Sequence, residues 1–66
     1  MAVARVTKIT ASSTKGWEDA ARAGLERAAK SLRGITGFQV VSQKAKVEEG
    51  KILEYRMTME VTFVLE

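Results

Sequence analysis

Ile52-Leu53-Glu54-Tyr55-Arg56-Met57-Thr58-Met59-Glu60-Val61-Thr62-Phe63-Val64-Leu65-Glu66 alternates apolar and polar residues almost without a break. Leu53, Tyr55, Met57, Met59, Val61, Phe63 and Leu65 fall on one face. Glu54, Arg56, Thr58, Glu60, Thr62 and Glu66 fall on the other, with Ile52 and Val64 as the apolar exceptions. A period of two over this length is a β-strand with one buried face. Run straight, it spans about 48 Å at ~3.4 Å per residue. A compact chain of this size has a radius of gyration of only about 11 Å. The strand is too long for the monomer that owns it. Either it coils hard around something, or its ends are covered by other subunits.

The bulk composition points the same way. Sixty-six residues make a single domain, 1–66, near the lower limit for a core that stabilises itself. There are no cysteines, hence no disulfides and no thiolate metal ligands, and there is no histidine, the commonest general base and metal ligand. Oligomerisation is then the remaining route to more buried apolar area. Eleven basic and eight acidic residues give a net charge of +3, and they are interspersed. Lys44, Lys46 and Lys51 form a short basic row rather than the stripe that nucleic acid requires, so a solvated face is the reading and no nucleic-acid partner is expected. No apolar run approaches ~18 residues and no signal-peptide pattern is present, so the expectation is a soluble cytoplasmic protein with no membrane partner.

Upstream of the long strand, Val3-Ala4-Arg5-Val6-Thr7-Lys8-Ile9-Thr10 reads as a first strand. Ala11–Gly16 reads as a helix entry, with Ser12 or Ser13 as the N-cap. From Trp17 the apolar period becomes helical: Trp17, Ala20, Ala21, Gly24, Ala28, Leu32 and Ile35 recur at three and four. Glu18, Arg22, Glu26, Lys30 and Arg33 take the opposite side, with Gly34 as the C′ stop. The buried stripe is made of small residues, so this helix should lie tight against a sheet. Gly24 costs about 1 kcal/mol of helix propensity relative to Ala, which makes sense if a side chain there would clash.

Phe38 to Val47 reads as a second strand with Phe38 and Val40 on one face and Val41, Ala45 and Val47 on the other. The switch of phase predicts a bulge or burial on both faces. Glu48-Glu49-Gly50-Lys51 is the hairpin turn. The order is β-α-β-β, an α+β chain with a three-stranded antiparallel sheet and one helix covering one face. The other sheet face carries Glu54, Arg56, Thr58 and Glu60 and is polar: it meets water, a ligand or another subunit.

Several local strings in this order resemble the dodecin family. They are Ile9-Thr10-Ala11-Ser12-Ser13, Trp17-Glu18-Asp19-Ala20-Ala21, Leu25-Glu26-Arg27-Ala28, Glu54-Tyr55-Arg56 and Glu60-Val61-Thr62-Phe63-Val64-Leu65-Glu66. The match runs over nearly the whole chain without gaps. The resemblance implies a sheet curled around the helix and a hollow homododecamer that binds a flavin such as FMN, riboflavin or lumichrome. It also marks where this chain departs. Flavin-binding members carry a Trp before the Phe of strand two, and ligands stack between such Trp residues of two subunits; here Gly37 precedes Phe38. They carry a Gln after the Tyr of strand three, pairing with the polar edge of the ring; here that position is Arg56. Some members use a basic residue of strand two to hold phosphate-bearing ligands, a position that Lys44 matches. With the strand-two Trp missing, Gly16-Trp17-Glu18-Asp19 is similar to a subgroup that includes calcium-binding dodecins, and calcium is the second cofactor the resemblance implies.

The residue chemistry sets the candidates. Arg56 is a cation on a polar face, fit either for an anionic ligand or for an ion pair with Glu54 or Glu60; it has only donors and cannot copy an amide. Gly37 offers no ring to stack on, and a flavin site without the Trp and Gln would rest on Phe38 and Arg56. Glu48, Glu49, Glu60 and Glu66 are the acids a hard cation could recruit, from several copies around an axis, since calcium takes six to eight oxygens. Trp17 reads as a packing anchor. Catalytic machinery is not in view: Ser12, Ser13 and Ser42 have no base to activate them, and no phosphate loop is present. The expectation is a non-enzymatic binding or storage protein whose stacked-flavin site is altered.

Overall fold

The long strand keeps its length. In the computed structural model, which describes residues 3–65, the chain measures 52 × 19 × 13 Å, with a Cα radius of gyration of 13.6 Å. Strand β3, Lys51–Leu65, runs down the middle of an antiparallel sheet between β1, Val3–Ser13, and β2, Ile35–Glu48. Helix α1, Trp17–Ser31, lies across one face, which we call the helix face; the opposite is the far face. A helix of that length reaches about 22 Å at 1.5 Å per residue. It covers less than half of the sheet, so the strand overhangs its own helix at both ends.

Burial follows the overhang. Met57, Met59, Val61 and Phe63 are buried beneath the helix with Ala20 and Ala28. Leu53, on the same strand face but beyond the helix, is 42% exposed, and Val47, Ile52, Val3 and Leu65 are exposed as well. Of the two expectations for an overlong strand, the extent of the molecule favours uncovered ends over tight coiling.

The small stripe does what its composition requires. A Cβ built on Gly24 would stand 2.8 Å from Ala11 Cβ and 3.1 Å from Met59 Cε, well inside ordinary contact distance. Gly24 thus marks a close approach between helix and sheet. Trp17 closes the other end of the stripe, edge-on to Tyr55 with ring centroids 4.9 Å apart at 79°.

Several boundaries differ from the sequence reading. The N-cap is Gly16, in extended conformation and without a side-chain cap, rather than Ser12 or Ser13. Both serines belong to β1, and Ser13 Oγ instead donates to Asp19 Oδ2 (2.6 Å) while accepting from the Lys15 N–H (2.9 Å). This hydroxyl pins the strand-to-helix turn from outside the helix. The helix ends at Ser31 with Leu32 as its C-cap; Gly34, at φ 74°, lies two residues further on, and Ile35 already pairs with Phe63 in β2.

The phase switch in β2 is a bulge. Its register against β3 shifts between Val40 and Ser42, leaving Val41 unpaired. The shift returns Ala45 to the face of Phe38 and Val40, because Ala45 pairs with Tyr55; the sequence reading had put it on the other face. A second shift, between Lys46 and Val47, skips Leu53 near the hairpin. The turn itself is tight, with both Glu49 (φ 50°) and Gly50 (φ 75°) left-handed, as a two-residue hairpin loop demands.

Candidate functional site

The far face is ruled by register. Directly opposed residues in antiparallel strands share a face, so three-residue rows cross the sheet. From one end they read Val6–Thr62–Gly37, Lys8–Glu60–Gln39, Thr10–Thr58–Ser42 and Ser12–Arg56–Lys44, followed by the pair Glu54–Lys46. The hydroxyls of Thr10 and Thr58 lie 3.0 Å apart in a hydrogen bond. Arg56 Nε donates to Glu54 Oε1 at 2.6 Å, the ion pair offered by the residue types. Both side chains retain substantial solvent exposure, so the pair contributes at most about 1 kcal/mol.

Of the four residues singled out in the sequence, three occupy this face and one does not. Gly37, Lys44 and Arg56 are far-face residues. Phe38 pairs with the buried Val61 and lines a small groove with Ala21, Arg22 and Leu25 of the helix. Phe38 and Arg56 of one chain therefore cannot hold the same ring, and a flavin site of that kind would need two chains. Within the far face, Lys44 and Arg56 are neighbours, whereas Gly37 stands opposite Thr62, six residues along β3 from Arg56. That is about 20 Å of strand.

The aromatic inventory adds a sharper constraint. The chain has one Trp, one Tyr and two Phe. Trp17 and Tyr55 pack on each other, Phe63 is buried under the helix, and Phe38 borders it. All four rings belong to the helix side, and the far face offers a planar ligand none. At Gly37 a Cβ would meet nothing within 4 Å, so this position is open.

The acids are dispersed. Glu48 and Glu49 sit at the hairpin, and Glu60 pairs with Lys8 and Gln39 in the middle of the sheet. Glu66 lies outside the described residues. Among the described residues no three metal-ligating side chains come together. Nor, among the described residues, is any helix long and apolar enough to cross a membrane.

The family model for dodecin matches residues 3–66. The chain belongs to the dodecin family. A dodecin from Thermus thermophilus is 34% identical over 64 residues, covering 97% of this chain and 93% of that protein. The structure of a dodecin from Streptomyces davaonensis superposes with a TM-score of 0.93 at 34% identity, covering 98% and 96% of the two chains. The calcium dodecin of Mycobacterium tuberculosis, a calcium-chelating antigen, superposes with a TM-score of 0.83 at 35% identity, covering 97% and 91%. The β-α-β-β order and three-stranded antiparallel sheet are thus those of the family.

Sequence reasoning missed Ser12 as a far-face residue and set Lys46 aside. The missing signal was register. Counting back from the two-residue turn pairs Lys44 with Tyr55. Only the bulge at Leu53 moves it opposite Arg56, and nothing in the local composition announces a one-residue shift.

Proposed function

We propose that this chain is a dodecin-like small-ligand binding and storage protein, non-enzymatic and assembled as a homododecamer, in which the stacked-flavin site has been altered. The observation that carries the altered site is the placement of all four aromatic side chains on the helix side. A stacked ring gains ~0.5–1.5 kcal/mol beyond its buried area, and here Gly37 supplies no ring for it. Arg56, with donors only, supplies no amide in its place. Supporting the assembly are the overhanging apolar ends and two unpaired sheet edges, β1 and β2.

Two measurements on the purified protein test this reading. Size exclusion with light scattering should give close to twelve times the chain mass of 7.2 kDa; a stable monomer contradicts the assembly. Titration of riboflavin should show weak fluorescence quenching, with a dissociation constant above about 1 μM. Tight, stoichiometric quenching sinks the altered site.

A further inference from the structure

A groove runs along the β1 side of the helix, on the flank away from Phe38. Ile9 and Ala11 of β1 floor it, and Ala23, Ala28 and Leu32 form its helix wall. It encloses about 490 Å³ and is lined mostly by apolar atoms. Its walls are built largely of small side chains, which leaves a hole shaped for larger ones. Arg27 stands at its rim. Among the described residues no carboxylate pairs with Arg27; the ion pairs of the chain join Arg22 to Glu18 and Arg56 to Glu54.

The hairpin end has the complementary character. Val47, Ile52 and Leu53 are large, apolar and exposed where β2 and β3 overhang the helix. The turn beside them carries Glu48 and Glu49, and Glu48 opposes Lys51 in register without forming an ion pair with it. A chain cannot fill its own groove. Ile9 pairs with Met59, seven residues along β3 from Ile52 and so about 24 Å of strand away.

We infer that the hairpin end of a second copy of this chain docks in the groove between α1 and β1, with Val47, Ile52 and Leu53 filling it and Glu48 and Glu49 meeting Arg27. The apolar plug supplies affinity, while the charges at its rim fix the register and reject other partners. Plug and groove are different parts of the chain, so the contact is heterologous: each copy offers its hairpin to one neighbour and its groove to another. Heterologous contacts of this kind close into rings when the rotation between copies closes, as a finite shell requires. This inference rests on the assembly reading above and names the surfaces that build it.

The test is light scattering of the purified full-length protein and its variants across a dilution series at low salt, where rim charges are least screened. Arg27→Glu sets a carboxylate against two others and should raise the concentration of half-dissociation by at least about tenfold. Glu48→Lys with Glu49→Lys should do the same by setting two cations against Arg27. All three substitutions together restore opposite charges and should recover most of that loss, which a merely structural defect at any one site would not allow. Ala23→Phe, at an exposed helix position, plugs the groove from within its own chain and should also weaken the assembly. An assembly indifferent to Arg27→Glu or to Ala23→Phe overturns the inference and leaves the groove open to a small apolar ligand. A triple variant no better than Arg27→Glu alone overturns it too, and gives the groove a different neighbour. An unmodified chain that runs as a monomer removes the assembly reading itself, whereas an intact assembly that ignores these changes removes this inference alone.

Discussion

Gly24→Leu is expected to abolish the folded assembly, and Gly24→Ala to weaken it measurably. Even one carbon at this position falls 2.8 Å from Ala11 Cβ. Met59 Cε, at 3.1 Å, is the end of a flexible side chain and can move. Ala11 Cβ is fixed to the β1 backbone and cannot, so the helix must lift from the sheet. Overpacking of this kind costs roughly 1–3 kcal/mol, and more for a branched side chain. A core of this size supplies only about 3–5 kcal/mol in all. Working against the loss, Ala gains about 1 kcal/mol of helix propensity over Gly. For Gly24→Ala the two nearly cancel in magnitude but the clash should win, lowering the urea midpoint at fixed protein concentration. The cause is separable by a double-mutant cycle: Ala11→Gly removes the opposing carbon and should recover part of the loss. A midpoint that rises in Gly24→Ala would mean that helix and sheet are free to part, and that the small stripe is not a packing device.

What could be read ahead of the structure depended on how local the controlling physics is. The alternation from Leu53 to Leu65 shows directly which side chains β3 buries, because a strand's faces are fixed by its own period. The Ala/Gly stripe likewise announces a close helix, since only small side chains allow it. Helix boundaries were less legible: Ser12 and Ser13 have the chemistry of an N-cap, yet β1 claims them through pairing with Arg56 and Tyr55. Local propensity lost there to a tertiary ladder.

The far face was legible as polar but not as a set of rows. Arg56 and Gly37 could each be named from their residue types, while their separation along β3 depends on register. Register in turn depends on the bulges at Leu53 and Val41, each a one-residue event that only the partner strand reveals. The same bulges keep Phe38 on the helix side and bring Lys44 to Arg56. A list of site residues from sequence therefore mixed two faces of the sheet.

The separation of Gly37 from Arg56 sets the outcome of restoring a flavin site. Gly37→Trp with Arg56→Gln is expected to tighten riboflavin binding by about 100-fold or more relative to the unmodified protein. The first carbon of the new side chain enters without a clash, since a Cβ at Gly37 would meet nothing within 4 Å. An aromatic side chain buries ~150–250 Å² and gains ~0.5–1.5 kcal/mol in stacking beyond that area. At ~25 cal/mol per Å², a few kcal/mol of added binding follows, and each 1.4 kcal/mol is tenfold. The Arg56→Gln change alone should add less: it supplies a donor and an acceptor for the ring edge but also releases Glu54 from its bond at 2.6 Å. Because the two positions lie about 20 Å apart along one strand, ring and amide can meet one flavin only when different chains supply them. The gain should therefore fall away on dilution to dissociated subunits, which fluorescence quenching followed across protein concentration would register. A gain that persists in the monomer would place both contacts in one chain and contradict the register. No gain in the assembly would mean that neighbouring subunits already fill the space above Gly37.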